Sequence, residues 1–207
     1  MKNKKIIYKN FIHNRYLNLN LNKKLNTVYS RIFKKVVKNL DISIDTLHTL
    51  SSKFQFNFSK KDIHQFKRFK SVVIIGMGGS TLGSQAIYGF LKKKIKKNFL
   101  FLDNIDLDKL KKFSNKKKLK KTLFIVISKS GNTIETLSNF IALRIIKKNS
   151  KNIVIISEKN NNPLYKLSEQ MKLKHIEHKN YIGGRYSVLS ETGMIPAYLM
   201  GLNIQKI

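Results

Sequence analysis

The chain has 207 residues, 42% of them hydrophobic, and carries 42 Lys and Arg against 11 Asp and Glu for a formal net charge of +31. That length suits one full core with a helical appendage, and the hydrophobic fraction excludes a chain disordered throughout. The absence of cysteine excludes a disulfide framework, a thiolate metal site and a cysteine nucleophile.

Residues 1–20 read as an extended polar lead-in, without the apolar segment and small-residue cleavage site of a secretory signal. From Leu21 to Leu40 the apolar residues Leu21, Leu25, Val28, Tyr29, Ile32, Phe33, Val36 and Val37 recur at three- and four-residue steps. They predict one stripe of an amphipathic helix. A short second helix is expected over 60–69. Strand-like runs then appear at 71-SVVII-75, 99-FLFL-102, 122-TLFIVI-127 and 152-NIVIIS-157, separated by helical patterns at 80–93, 106–112 and 133–148. Pro163, after Asn-Asn, marks a helix start, and Pro196 lies in the last helical pattern, 191–203.

Strands that are apolar at consecutive positions are covered on both faces. The expected fold is therefore α/β: a parallel sheet between two helical layers, preceded by an N-terminal helical region. In such sheets ligands bind beyond the carboxyl ends of the strands. No apolar run approaches the ~18 residues of a membrane helix, so a cytoplasmic protein with no membrane partner is expected.

The cations are unevenly placed. Residues 1–70 hold 17 of them with 3 acids, and residues 91–121 hold 13 with 3 acids. Most are lysine, accompanied by many asparagines and isoleucines, the trio that drift in an A/T-rich genome leaves at tolerant surface sites. A nucleic-acid surface would favour arginine forks and interleaved aromatics. We expect no specific nucleic-acid partner, although salt-dependent association with polyanions follows from the charge. Histidines at 13, 48, 64, 175 and 178 lack the spacing of a metal motif, so no metal and no cofactor are expected.

Two strand-to-helix turns carry the chemistry. In 128-SKSGNT-133, hydroxyls of Ser128, Ser130 and Thr133 surround Gly131, with Lys129 adding a cation. Such a turn exposes unpaired N–H groups at the positive end of a helix, which suits a phosphate monoester. The plainer reading is helix capping, with Thr133 as N-cap. In 76-GMGGSTLGS-84 the glycines are dense, but a dinucleotide fingerprint would need glycine at Thr81, and the Walker pattern is missing. A third stretch, 182-IGGRYSVLSETG-193, allows two glycines to bring Arg185 into a cleft, where a guanidinium can stabilise negative charge. An ordinary surface ion pair is equally open for Arg185.

Together GMGGSTLGS, SKSGNTIET and GGRYSVLSETGMIPAYL resemble, in order and separation, the signature stretches of the glucose-6-phosphate isomerase family. SKSGNT is similar to the wider sugar-isomerase (SIS) fold. The resemblance covers about residues 70–203. It implies a SIS-type three-layer sandwich at 70–182 after a helical region at 1–69, with residues 183–207 leading toward a second domain. It assigns Ser128, Lys129, Ser130 and Thr133 to the substrate phosphate and Gly79 and Ser80 to the sugar. Glu135 matches a glutamate that orders a water beside the arginine, and Arg185 the arginine that stabilises an enediolate.

In that family the base is a glutamate, and a histidine and a lysine take part in ring opening. All three lie in a second α/β domain and a C-terminal helix, beyond Ile207. The resemblance thus implies glucose 6-phosphate/fructose 6-phosphate interconversion by a split or truncated form that binds sugar phosphate without the base. Its partners would be a homodimer mate or a complementing C-terminal chain. Glu191 is the best local base, although an anchoring role for it is expected, and the helix over 186–203 is expected to expose apolar surface. Two other readings are a single-domain SIS isomerase working as a homo-oligomer and a sugar-phosphate-sensing regulator. Residues 1–70 show no helix-turn-helix pattern for the latter.

Overall fold

The computed structural model of the chain describes Phe11, Tyr16, and residues 18–42, 44–111, 113 and 116–207. Most of the predicted 1–20 lead-in lies outside the described residues. The chain divides into two compact units, Met1–Ser43 and Ile44–Ile207.

The first unit contains helix α1, Leu19–Asn39, capped by the Asn18 side chain on the Leu21 N–H. It matches the predicted amphipathic helix to within two residues.

The second unit is built on a five-stranded parallel sheet of β1 (Ser71–Ile75), β2 (Asn98–Leu102), β3 (Thr122–Ile127), β4 (Ile153–Ser157) and β5 (Lys174–Glu177), in the spatial order β2-β1-β3-β4-β5. The four predicted strands are present. The fifth is an edge strand in which only Ile176 is buried, so it carries no apolar run. Helix α2 (Lys60–His64) opens on a Ser59–Asp62 capping box and passes into a 3-10 turn, Gln65–Arg68. Helix α3 is Gly79–Leu91, α4 is Leu107–Lys111 and α5 is Lys116–Lys120. Then come α6 (Ile134–Ala142), α7 (Pro163–Gln170) and α8 (Glu191–Leu199).

The consecutive apolar residues of each strand split between two cores, as parallel strands covered on both faces require. Val72, Ile74, Leu123, Ile125 and Ile127 face Ile63, Phe66, Met194 and Ile195. Val73, Ile75, Phe124 and Val126 face Phe140, Leu143, Leu164 and Phe113. The result is a three-layer α/β/α sandwich.

Two expectations are corrected. The helical pattern over 133–148 is interrupted: α6 stops at Ala142 and Arg144 turns the chain at φ 51°. The apolar pattern outlasts the helix because Ile145 is buried in the core from the turn itself. The 186–203 region does not offer an apolar helix to solvent, since every residue of α8 is buried. A helix apolar on all sides is a core helix, and here it is covered by the sheet and by α3.

Strand order reverses between β1 and β3: the chain proceeds outward to β2 on one side and to β4 and β5 on the other. That switch point is where open α/β sheets leave a crevice for ligands.

Candidate functional site

The turns after β1 and β3 flank this crevice. Ile75 and Val126 are register partners at the strand ends, so residues 76–80 and 128–133 leave the same sheet edge on neighbouring strands. Two of the three sequence motifs are thereby side by side. The third joins them through backbone contact. A Cβ on Gly79 would fall onto the Gly184 carbonyl and meet the Arg185 nitrogen at 2.9 Å. The Ser187 hydroxyl, which donates to the Gly184 carbonyl at 2.7 Å, also lies 3.4 Å from the Gly79 carbonyl. Only glycine at 79 permits this approach, and it brings the Arg185 backbone to the start of α3, where Gly79 and Ser80 sit.

The β3–α6 turn is organised around Ser128, which is buried. Its hydroxyl lies 3.0 Å from that of Thr133. Thr133 occupies the N-cap position of α6, but its side chain caps nothing. The capping reading of the turn therefore does not account for its hydroxyls, and Thr133 leaves the first N–H groups of α6 without a side-chain cap. Ser130 is exposed, and its hydroxyl accepts weakly from the Asn132 N–H at 3.3 Å. Gly131 adopts φ +67°, with the Asn162 amide packed where a side chain would start.

Lys129 is placed differently from the hydroxyls. Its ammonium donates to the Asn180 carbonyl at 2.7 Å and lies 3.6 Å from the Glu158 carboxylate. Both partners line a cleft of about 430 Å³ beyond β4 and β5, together with Asn57, Glu177, His178 and Lys179. Its polar groups are largely satisfied by one another: Lys179 donates to Asn57 at 2.7 Å, and Asn160 to Glu158 at 2.9 Å.

Glu135, in the first turn of α6, and Arg185 are both exposed, and neither makes an ion pair among the described residues. The stretch in front of Arg185 is held by Thr46, whose hydroxyl donates to the Tyr181 carbonyl at 3.0 Å and accepts from the Gly183 N–H at 3.3 Å. Nothing in the sequence signals this contact, which links residues more than 130 positions apart.

Glu191 is fully buried, and its carboxylate accepts from the Asn57 N–H at 2.8 Å while its second oxygen has no hydrogen-bond partner among the described residues. Burial pushes its carboxyl above the usual range. The group ties Asn57, in the segment before α2, to the start of α8. His178 is buried with its Nδ1 on the Lys179 carbonyl at 2.9 Å, and His175 sits against the Ser157 hydroxyl at 3.0 Å. Burial lowers both imidazoles below their usual value. Among the described residues no cluster of three or more His, Asp or Glu could hold a metal, and no helix is long and apolar enough to cross a membrane.

Residues 10–206 match the family model for phosphoglucose isomerase. Among curated proteins, a glucose-6-phosphate isomerase of Borreliella afzelii (strain PKo) is 33% identical over 91% of this chain and 39% of its own length. The chain thus spans about two fifths of that relative. Among solved structures, a glucose-6-phosphate isomerase from Chlamydia trachomatis superposes with a TM-score of 0.55 at 26% identity, over 67% of this chain and 29% of that one. A hypothetical protein from Thermus thermophilus reaches a TM-score of 0.66 at 22% identity, over 88% of this chain and 47% of that one, a likeness of fold.

Proposed function

The chain belongs to the phosphoglucose isomerase family, and from that premise we propose that it forms the sugar-phosphate-binding part of a glucose 6-phosphate/fructose 6-phosphate isomerase. The observation that carries the proposal is the convergence of the three motifs at the β1/β3 switch point. The SIS-type sandwich supplies the crevice, and its turns supply donors.

In this reading the phosphate is held by the hydroxyls of Ser128, Ser130 and Thr133 and by the N–H groups opening α6. Lys129 contributes its positive charge from the Asn180 side of the turn. Gly79 and Ser80 contact the sugar. Arg185, which has no acidic partner among the described residues, stabilises the enediolate that forms when a proton moves between adjacent carbons, and Glu135 orders a water beside it. Residues 70–182 then act as the sugar-phosphate domain, preceded by the helical region 1–69 and followed by the arginine segment 183–207. A glycolytic and gluconeogenic role in the cytoplasm follows from that chemistry.

Glu191 is unsuited to be the base, because it is enclosed and already accepts the Asn57 N–H. His175 and His178 are turned to Ser157 and Lys179. We therefore assign the base to residues other than these 207. The test is calorimetric binding of glucose 6-phosphate to the 207-residue chain, alongside a coupled assay for fructose 6-phosphate turnover. Binding without turnover is expected. Turnover at ordinary enzyme rates would contradict the assignment of the base, and absence of binding would overturn the reading as a whole.

A further inference from the structure

We infer that Asn162 is a positioning residue for the β3–α6 turn: through the loop 158–164 it orients two peptide groups so that the N–H groups of Ser130 and Asn132 face the anion. The inference rests on the phosphate assignment of the proposed function.

The geometry follows from the planarity of the trans peptide, in which a carbonyl and the next N–H point in opposite directions. The Lys129 carbonyl accepts from the Glu158 N–H at 2.9 Å, and the Gly131 carbonyl from the Leu164 N–H at 3.4 Å. Both carbonyls are thus turned toward the 158–164 loop. The Ser130 and Asn132 N–H groups must point away from it, to the open side of the turn where Ser130 and Asn132 are exposed. The Ser130 N–H has no hydrogen bond among the described residues, and that of Asn132 makes only the 3.3 Å contact to the Ser130 hydroxyl. Two donors are therefore available beside the hydroxyls.

Asn162 makes the loop rigid enough to impose this. Its side chain is buried and held at both ends: the amide donates to the Glu158 carbonyl and to the Asn160 side chain, each at 2.7 Å, while its oxygen accepts from the Tyr165 N–H at 2.8 Å. One residue thereby closes the loop and caps α7. The same amide fills the space beside Gly131 that any side chain there would need. Gly131 at φ +67° and Asn162 are complementary halves of one packing arrangement. Asn162 touches no substrate in this account and acts through the peptide groups it fixes.

The test compares the wild-type chain with Asn162→Ser, which retains a cap for α7 but cannot reach the Glu158 carbonyl. Affinity for glucose 6-phosphate is measured by calorimetry, with glucose as the control lacking phosphate. The amide protons of Ser130 and Asn132 are followed by heteronuclear NMR during the same titration. In the wild type both amides should shift downfield on binding glucose 6-phosphate and stay unmoved by glucose. In Asn162→Ser the shifts should shrink and affinity fall about tenfold, with the sheet amides unchanged. If Asn162→Ser does not fold, Asn162→Asp replaces it, since the aspartate keeps the cap on Tyr165 and loses both donated bonds. Equal affinity and equal amide shifts in a folded variant would overturn the inference while leaving the proposed function standing. A wild type that fails to bind would overturn both.

Discussion

The hydroxyls of Ser128 and Thr133 lie 3.0 Å apart across the β3–α6 turn, and neither is spent on capping the helix that follows. A threonine at an N-cap position ordinarily turns its oxygen to the N2 or N3 amide. Here it bonds instead to a buried serine at the mouth of the switch point. Two hydroxyls whose one hydrogen bond among the described residues is to each other can both turn to a ligand. Ser128→Ala and Thr133→Val should each weaken glucose 6-phosphate binding by about 1.5 kcal/mol, roughly tenfold, as expected for hydrogen bonds to a charged group. Melting temperatures should move little, and calorimetric titration of the two variants and their combination measures the coupling.

Gly131 tests the turn from its backbone. At φ +67°, with the Asn162 amide occupying the Cβ position, alanine meets both strain and overlap. Gly131→Ala should destabilise the fold by about 1–3 kcal/mol, read from the denaturant midpoint. Its loss of sugar-phosphate affinity should exceed that of Ser130→Ala.

Lys129 separates charge from contact. With its ammonium on the Asn180 carbonyl and beside Glu158, it is a partly exposed, already paired cation. Lys129→Met should therefore weaken binding within about threefold, and the difference should shrink at high salt. A loss as large as that of Ser128→Ala would show that the lysine leaves Asn180 to grip the ligand.

Glu191 and the buried histidines His175 and His178 contribute to the pH dependence of stability with opposite signs. Burial raises the Glu191 carboxyl above its ordinary 4.5. The folded chain then retains a proton that the unfolded chain releases, so this contribution is full below pH 4.5 and is lost as pH rises through the folded value. Glu191→Gln keeps an acceptor for the Asn57 N–H and should hold its stability better on going from about pH 4.5 to neutrality. His178 runs the other way. Burial lowers it below 6.5, so its contribution is present above pH 6.5 and is lost as pH falls toward the folded value. His178→Gln should blunt that acid loss. Denaturant midpoints across about pH 4–8 check both signs.

The sheet was legible because β1, β3 and β4 need apolar side chains on both faces, and consecutive Val, Ile and Leu have few other uses. Edge strand β5 and the lysine-rich α5 lack that pressure, so Lys174–Glu177 and Lys116–Lys120 gave no pattern to read. The candidate site was legible as motifs, since hydroxyls, glycines and an arginine cluster locally in the chain. Direction was not. Nothing in SKSGNT tells that Lys129 turns toward Asn180, because its partners are set by how the 178–181 segment folds back. Asn162 was visible only as one of the asparagines before Pro163. Its contact with Gly131 is tertiary, as is the hold of Thr46 on Tyr181 and Gly183, and neither leaves a trace in local spacing.

The most direct measurement is a crystal structure of the 207-residue chain soaked with glucose 6-phosphate. The account predicts the phosphate within hydrogen-bonding distance of the Ser128, Ser130 and Thr133 hydroxyls, with the sugar extending toward Gly79 and Arg185. A ligand found only on the lysine-rich surface of residues 91–121, with the β3–α6 turn unoccupied at saturating concentration, would contradict it.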